Sequence, residues 1–189
     1  MLFASHVPDG FLYRDDFLTA DEETALAGDV GRVEFSTFEM RGVVARRRVA
    51  FFGRSYDAGR TVTPPLPPFL LPLRARIATW AGVAPSAFAM ALVNEYPAGA
   101  PIGWHRDAPQ YGIVAGLSLL SSCRMKFRPY APARAHAAVA AGRRSATHDI
   151  TLNRRSAYLM TGASRQEYEH HIPPVATLRY SITFRTLKG

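Results

Sequence analysis

Cysteine is all but missing from this chain of 189 residues: Cys123 stands alone. That excludes an internal disulfide framework and a cysteine-built zinc site, and makes the reducing cytosol the simplest compartment. Lysine is nearly as scarce, with two against 21 arginines. No apolar run approaches the roughly 20 residues of a membrane-spanning helix. The opening stretch, MLFASHVPDGFLYRDDF, lacks the basic-then-apolar pattern of a secretory signal, so a cytoplasmic protein without membrane insertion is expected. No internal repeat is visible, and no Gly-x-Ser-x-Gly elbow supports a serine hydrolase. Core material is plentiful: 48% of residues are hydrophobic and 11% aromatic. A chain of this size buries about 70% of its unfolded surface, enough for one domain without staples. The expectation is a single monomeric domain over residues 1–189.

Charge is abundant and unevenly placed. The net charge is +8, yet residues 1–40 carry nine acids and two arginines, residues 41–60 six arginines and one acid, and residues 121–155 eight bases and one acid. Arginine pairs bidentately with phosphates and carboxylates. Two basic segments behind an acidic front suit either a solvated surface or a surface for a polyanion.

Local signals divide the chain. Thr19-Ala20-Asp21-Glu22 has capping-box form and predicts a helix through about Leu26. The proline-dense run Thr63–Pro68 reads as an extended connector. From Pro72, the apolar residues Leu73, Ile77, Trp80 and Ala81 recur at helical spacing and predict a helix ending near Gly82. Strand patterns follow: Phe88–Glu95, Ile113–Leu120, Arg124–Tyr130, Thr147–Leu152, Ala157–Met160 and Thr177–Thr186. Residues 131–142, with seven alanines, read as a loop or frayed helix. Helices first and short strands after predict an α+β fold whose β part is a barrel or jelly roll.

The chemistry lies in the second half. In Trp104-His105-Arg106-Asp107 an imidazole and a carboxylate are two residues apart, so on an extended segment both leave one face and can supply two neighbouring ligands of an octahedral metal. His170 and His171 are candidates for the third. Two histidines and a carboxylate form the facial triad of non-haem Fe(II) oxygenases. An isolated His-x-Asp is more often an ordinary polar pair. On the last strand, Arg179 and Arg185 share a polar face opposite Tyr180, Ile182 and Phe184, which makes it an exposed edge or the wall of an anion pocket.

The order of these pieces is distinctive. Asn94-x-Tyr96-x-x-Gly99-x-x-Ile102-x-x-His105-x-Asp107, then Leu117-Ser118-Leu119, Met160-x-Gly162, His170-x-Ile172-Pro173 and a closing Arg179-x5-Arg185 resemble the AlkB family of Fe(II)/2-oxoglutarate dioxygenases from about Ala91 to Arg185. The resemblance implies a double-stranded β-helix core of jelly-roll, cupin-like type over about 88–187, preceded over about 1–87 by helices and a nucleotide-recognition lid. By position, His105, Asp107 and His170 match the iron ligands, with His170 chosen over His171 because the family's distal histidine stands two residues before an Ile or Leu. Arg179 matches the arginine pairing with the far carboxylate of 2-oxoglutarate, Arg185 one nearer the metal, and Asn94 and Tyr96 polar contacts of the cosubstrate. Ser181 replaces the asparagine common between the two arginines. Ala108-Pro109-Gln110-Tyr111 stand where members acting on methylated adenine or cytosine often carry acids.

On that resemblance the lid is Arg46-Arg47-Arg48-Val49-Ala50-Phe51-Phe52-Gly53-Arg54-Ser55-Tyr56. Its arginines suit phosphate contacts and its aromatics base stacking, although at least one of Phe51 and Phe52 is expected in the core. Trp104, beside His105, either stacks in the pocket or packs. The implied activity uses Fe(II), 2-oxoglutarate and O2 to demethylate N-alkylated bases of DNA or RNA, with formaldehyde, succinate and CO2 released. Alternatives are the same chemistry on a protein side chain or small metabolite, and a catalytically silent nucleic-acid-binding module.

Overall fold

The computed structural model describes residues 7–40, 42–54, 63–130 and 147–188; Ser55, Tyr56 and the alanine-rich stretch 131–142 lie outside them. Eleven strands make two antiparallel sheets. The major sheet runs β1 (Phe11–Arg14), β9 (Ala157–Met160), β6 (Tyr111–Leu119), β11 (Arg179–Leu187), β4 (Phe88–Tyr96), β3 (Val43–Gly53), β2 (Ser36–Met40). The minor sheet runs β5 (Ile102–His105), β10 (Tyr168–Ile172), β7 (Cys123–Pro129), β8 (His148–Leu152). Helices α1 (Ala20–Val30) and α2 (Leu71–Ala81) cover one face of the major sheet, and a short α3 (Gly162–Gln166) precedes β10. This is the jelly-roll architecture expected, with helices outside.

Local chemistry explains the helix bounds. The Thr19 side chain accepts from the Glu22 amide while the Glu22 carboxylate accepts from the Thr19 amide, so two otherwise unpaired N–H groups at the start of α1 are satisfied. The helix continues past Leu26 to Val30 because both residues bury against the major sheet. Helix α2 stops where Gly82 takes the left-handed conformation, at φ 68°, which costs glycine little.

The front half departs from the sequence reading in one respect. Besides α1 and α2 it contributes three strands, and β3 pairs with β4 along Arg48↔Glu95 to Gly53↔Met90, so the arginine–aromatic segment up to Gly53 is a strand of the major sheet. Strand β1 similarly closes the far edge by pairing with β9.

Side-chain alternation then sorts the strands into two cores. Ala50, Ala91, Val93, Leu117, Tyr180, Ile182 and Phe184 face α1 and α2. Between the sheets a second cluster holds Phe11, Tyr96, Val114, Met125, Phe127, Tyr158 and Ile172. At Gly116 the sheet makes room for a ring: a Cβ there would lie 2.2 Å from the Tyr158 ring, and Tyr158 crosses above it toward the space between the sheets.

Candidate active site

That space is a cavity of about 250 Å³. Its floor is a set of rungs across the major sheet. Arg179 lies opposite Tyr96, Ser181 opposite Asn94, Thr183 opposite Leu92 and Arg185 opposite Met90; on the other side of β4, Asn94 and Leu92 face Val49 and Phe51. Residues two apart on a strand share a face, so the alternation that turns Ile182 and Phe184 to the helices turns both arginines to the cavity. His105, Asp107 and His170 line it from the minor-sheet side, and Arg47, Phe51, Asn94, Tyr96, Arg179 and Arg185 from the major sheet.

His105 and His170 are directly paired on β5 and β10, with ring centroids 4.2 Å apart. Asp107, in the turn after β5, places Oδ2 3.8 Å from Nε2 of His170. Oδ1 of Asp107 accepts from Nε and Nη2 of Arg185 at 2.9 and 2.8 Å. Nδ1 of His105 lies 2.9 Å from the Gly103 carbonyl, which orients its ring. His171 points elsewhere: its Nδ1 meets the Ile102 carbonyl at 2.7 Å and its ring lies against Trp104.

Protonation states suit metal ligation. Burial, and then the neighbouring His105, push His170 down to about 3, and burial also lowers His105, so both imidazoles are neutral near pH 7. Burial alone would raise Asp107, but Arg185 and the two imidazoles more than offset it and hold the carboxyl below its ordinary range. Neutral imidazoles and an ionised carboxylate are the forms that bind a metal. Among the described residues no three such groups are already closed around one point. Neighbouring ligands of a metal stand about 3 Å apart, so the 3.8 Å gap between Asp107 and His170 is a small adjustment away.

A second observation concerns an anion. Arg179 is only 1% exposed, donates from Nε to Ser118 Oγ at 3.0 Å, and leaves Nη1 buried with no hydrogen-bond partner among the described residues. An unpaired buried guanidinium nitrogen is costly, and a carboxylate arriving in the cavity would satisfy it. Asn94 donates to Ser181 Oγ at 3.3 Å, so the serine at 181 keeps a polar contact across the strands. The residues present fit both a divalent iron and a keto acid.

The arginine–aromatic segment divides by strand parity. Arg47 and Phe51 face the cavity; Arg47 is 8% exposed, approaches Asn94 Oδ1 at 3.5 Å and lies 4.4 Å over the Phe38 ring. Arg48 turns away and pairs with Glu95 at 2.7 Å, Phe52 leans on the helix-side core, and Arg46 and Arg54 are exposed. Trp104 lies outside the lining, with the Arg128 guanidinium 4.5 Å over its ring. Three contributors escape a reading of the sequence. Phe38 and Tyr158 sit on strands without a distinctive pattern. Arg165, on α3, is buried and donates to the carbonyls of Ala108 and Tyr111, tying down the loop that follows Asp107. Arg106 answers from that loop, donating to the Gln166 carbonyl at 3.0 Å. No local pattern in Ala163-Ser164-Arg165-Gln166 announces such a partner.

Comparisons with known proteins agree with this geometry. The 2OG-Fe(II) oxygenase superfamily profile matches residues 24–185. The chain is 28% identical over 185 residues to the alkylated DNA repair protein ALKBH8 homolog of Arabidopsis thaliana, covering 89% of this chain and 51% of that protein, so it spans about half the relative's length. The structure of OsALKBH1 superposes with a TM-score of 0.68 at 14% identity, over 95% of this chain and 99% of that one. A prolyl-4-hydroxylase of Pseudomonas putida superposes with a TM-score of 0.63 at 16% identity, over 95% and 94% of the two chains. At such identities these two speak for the fold alone, a jelly roll. The chain belongs to the 2OG-Fe(II) oxygenase superfamily, oxidoreductases whose chemistry takes Fe(II), 2-oxoglutarate and O2, and within it is similar to AlkB-like proteins.

Proposed function

We propose that this dioxygenase demethylates N-alkylated bases of DNA or RNA. The observation that carries the reading is the wall opposite the His–Asp–His set, where Phe38, Arg47 and Phe51 bring aromatic faces and a cation into the same cavity. Such a wall can stack a planar ring and donate hydrogen bonds to it, and the exposed Arg46 and Arg54 on the same strand segment can take phosphates outside. A base inside a duplex would have to be flipped out to arrive there.

His105, Asp107 and His170 would hold Fe(II). Arg179 would pair with the far carboxylate of 2-oxoglutarate through the nitrogen now unpartnered, with Asn94 and Tyr96 beside it. Arg185 fixes the rotamer of Asp107 through one oxygen and leaves the other toward His170. Bound together, Fe(II), 2-oxoglutarate and O2 supply decarboxylation to succinate and CO2 with hydroxylation of an N-methyl carbon. The N-hydroxymethyl product then splits to formaldehyde and the restored base. The chain's share is to bind, orient and exclude water; the buried Tyr158, whose hydroxyl burial pushes up, stays neutral in the wall.

The test is binding and turnover of methylated oligonucleotides at several salt concentrations. Formaldehyde should appear with succinate, and log affinity should fall linearly with log salt. Arg46→Ala and Arg54→Ala should each flatten that slope by about 0.7–0.9 where the side chain touches a phosphate, without changing the substrate-free conversion of 2-oxoglutarate. An unchanged slope with no formaldehyde would move a protein side chain or a small metabolite ahead as the substrate.

A further inference from the structure

Among the described residues the cavity is lined by four arginines and a single carboxylate. Arg47, Arg179 and Arg185 turn inward beside Asp107, which is already matched by Arg185, whereas Arg106 donates to the Gln166 carbonyl and lies 3.4 Å over the Tyr130 ring. A divalent iron and a dianionic keto acid would cancel one another, so loading the site leaves the surplus positive. Arg47 stands with Phe38 and Phe51 in the wall proposed to receive the substrate ring. It is buried, lies over Phe38, and has only a long 3.5 Å contact to Asn94 among its side-chain hydrogen bonds at described residues. A guanidinium carries five N–H donors and accepts nothing. Its neighbourhood favours a ring carbonyl and disfavours a ring that is itself a cation.

We infer that, on the nucleic-acid reading above, the preferred substrate is an N-methylated base that stays uncharged at neutral pH and presents a carbonyl oxygen, of the 1-methylguanine or 3-methylthymine kind, with Arg47 donating to that oxygen. Bases that methylation fixes as cations, of the 1-methyladenine or 3-methylcytosine kind, are selected against. Those cations would need an acid in the wall, and Ala108-Pro109-Gln110-Tyr111, following Asp107, supplies none. Two like charges about 6 Å apart at an effective dielectric near 20 amount to roughly a hundredfold in affinity.

The experiment uses one single-stranded oligonucleotide sequence carrying in turn 1-methylguanine, 3-methylthymine, 1-methyladenine or 3-methylcytosine. Two readouts are taken: kcat/KM by mass spectrometry, and affinity for the metal-free protein by fluorescence anisotropy. Both should favour the two neutral lesions by about tenfold or more; Arg47→Gln should narrow the gap to within about threefold and Arg47→Lys should retain the bias against cations. The inference is overturned if the wild-type protein handles the cationic lesions as well as the neutral ones, or if Arg47→Gln weakens all four equally, which would make Arg47 a backbone contact. Succinate without repair of any lesion would overturn the nucleic-acid reading and this inference with it, an outcome distinct from a reversed preference. The wild-type panel needs no variant, so a folding defect at Arg47 leaves the test standing.

Discussion

The two sheets reach the cavity by different building rules. The major sheet presents its polar side chains from the middle of long strands: Arg179, Ser181, Thr183 and Arg185 sit on β11, which is paired along both sides, and Asn94 and Tyr96 sit on its neighbour β4. Each such residue is held by rungs on either side and by the helix-covered core behind. The minor sheet presents His105 and His170 from strands of four and five residues, joined by one direct pair and an irregularity before Ile172↔Ile102. Asp107 is off the sheet altogether and depends on Arg185 and on the loop that Arg165 ties down. The group expected to take the cosubstrate is therefore built into the stable framework, whereas the group expected to take the metal is assembled at its margin. Rigid anion recognition and an adjustable metal site can coexist because different sheets carry them.

The largest effects should separate these two arms. His105→Ala, Asp107→Ala and His170→Ala should each lower Fe(II) affinity and succinate formation by more than about a hundredfold, while unfolding of the metal-free protein changes far less, since these side chains face the cavity rather than the apolar core. His171→Ala should stay within about threefold in both assays. Iron titration and calorimetry on the four variants would check it, and loss of iron at His171→Ala with retention at His170→Ala would reverse the assignment of the third ligand. On the major sheet, Arg179→Met should raise the 2-oxoglutarate requirement by more than about a hundredfold, because a buried carboxylate would lose its partner at about 3–5 kcal/mol. Without cosubstrate the same variant should be as stable as the parent or more so, because the unpartnered Nη1 is removed. A lowered melting temperature with unchanged cosubstrate affinity would overturn the reading of that wall. The smallest contrast tests the two faces of β3: Phe52→Ala should cost about 3 kcal/mol of stability in chemical denaturation. Phe51→Ala should instead cost about 1–3 kcal/mol of oligonucleotide affinity with little change in stability.

Spacing made the site legible where a ligand set depends on residues close in sequence or in a fixed order. His105 and Asp107 needed only the two-residue period, and alternation alone placed Arg179 and Arg185 on one face of β11. The arginine run 46–48 was harder. Read as a charge cluster, it suggests three equivalent phosphate contacts; strand pairing instead sends Arg47 inward beside Asn94 and Arg48 outward to Glu95. Parity along β3 separates them once the segment is read as a strand, which the expectation of a core-facing Phe51 or Phe52 already allowed. Phe38 and Arg165 were out of reach for a different reason. Their roles come from contacts across the fold, to Arg47 and to the 108–111 loop, and no local periodicity encodes those. The short β1 was missed likewise, since four residues alternating around one buried phenylalanine resemble any surface turn.

The position of β11 has a consequence for how the molecule comes into being. Of the strands at the described residues it is the last in chain order, yet it fills the middle of the major sheet between β4 and β6. Until it arrives, those two strands face each other across an empty lane, with apolar side chains and unpaired backbone groups open to other chains. Nearly every pairing of the sheet is also distant in sequence, which slows closure. The protein thus cannot mature from its N-terminus in stages, and chains cut short before residue 179 are expected to aggregate. The strand that would anchor the keto acid is also the one that closes the open lane of the major sheet.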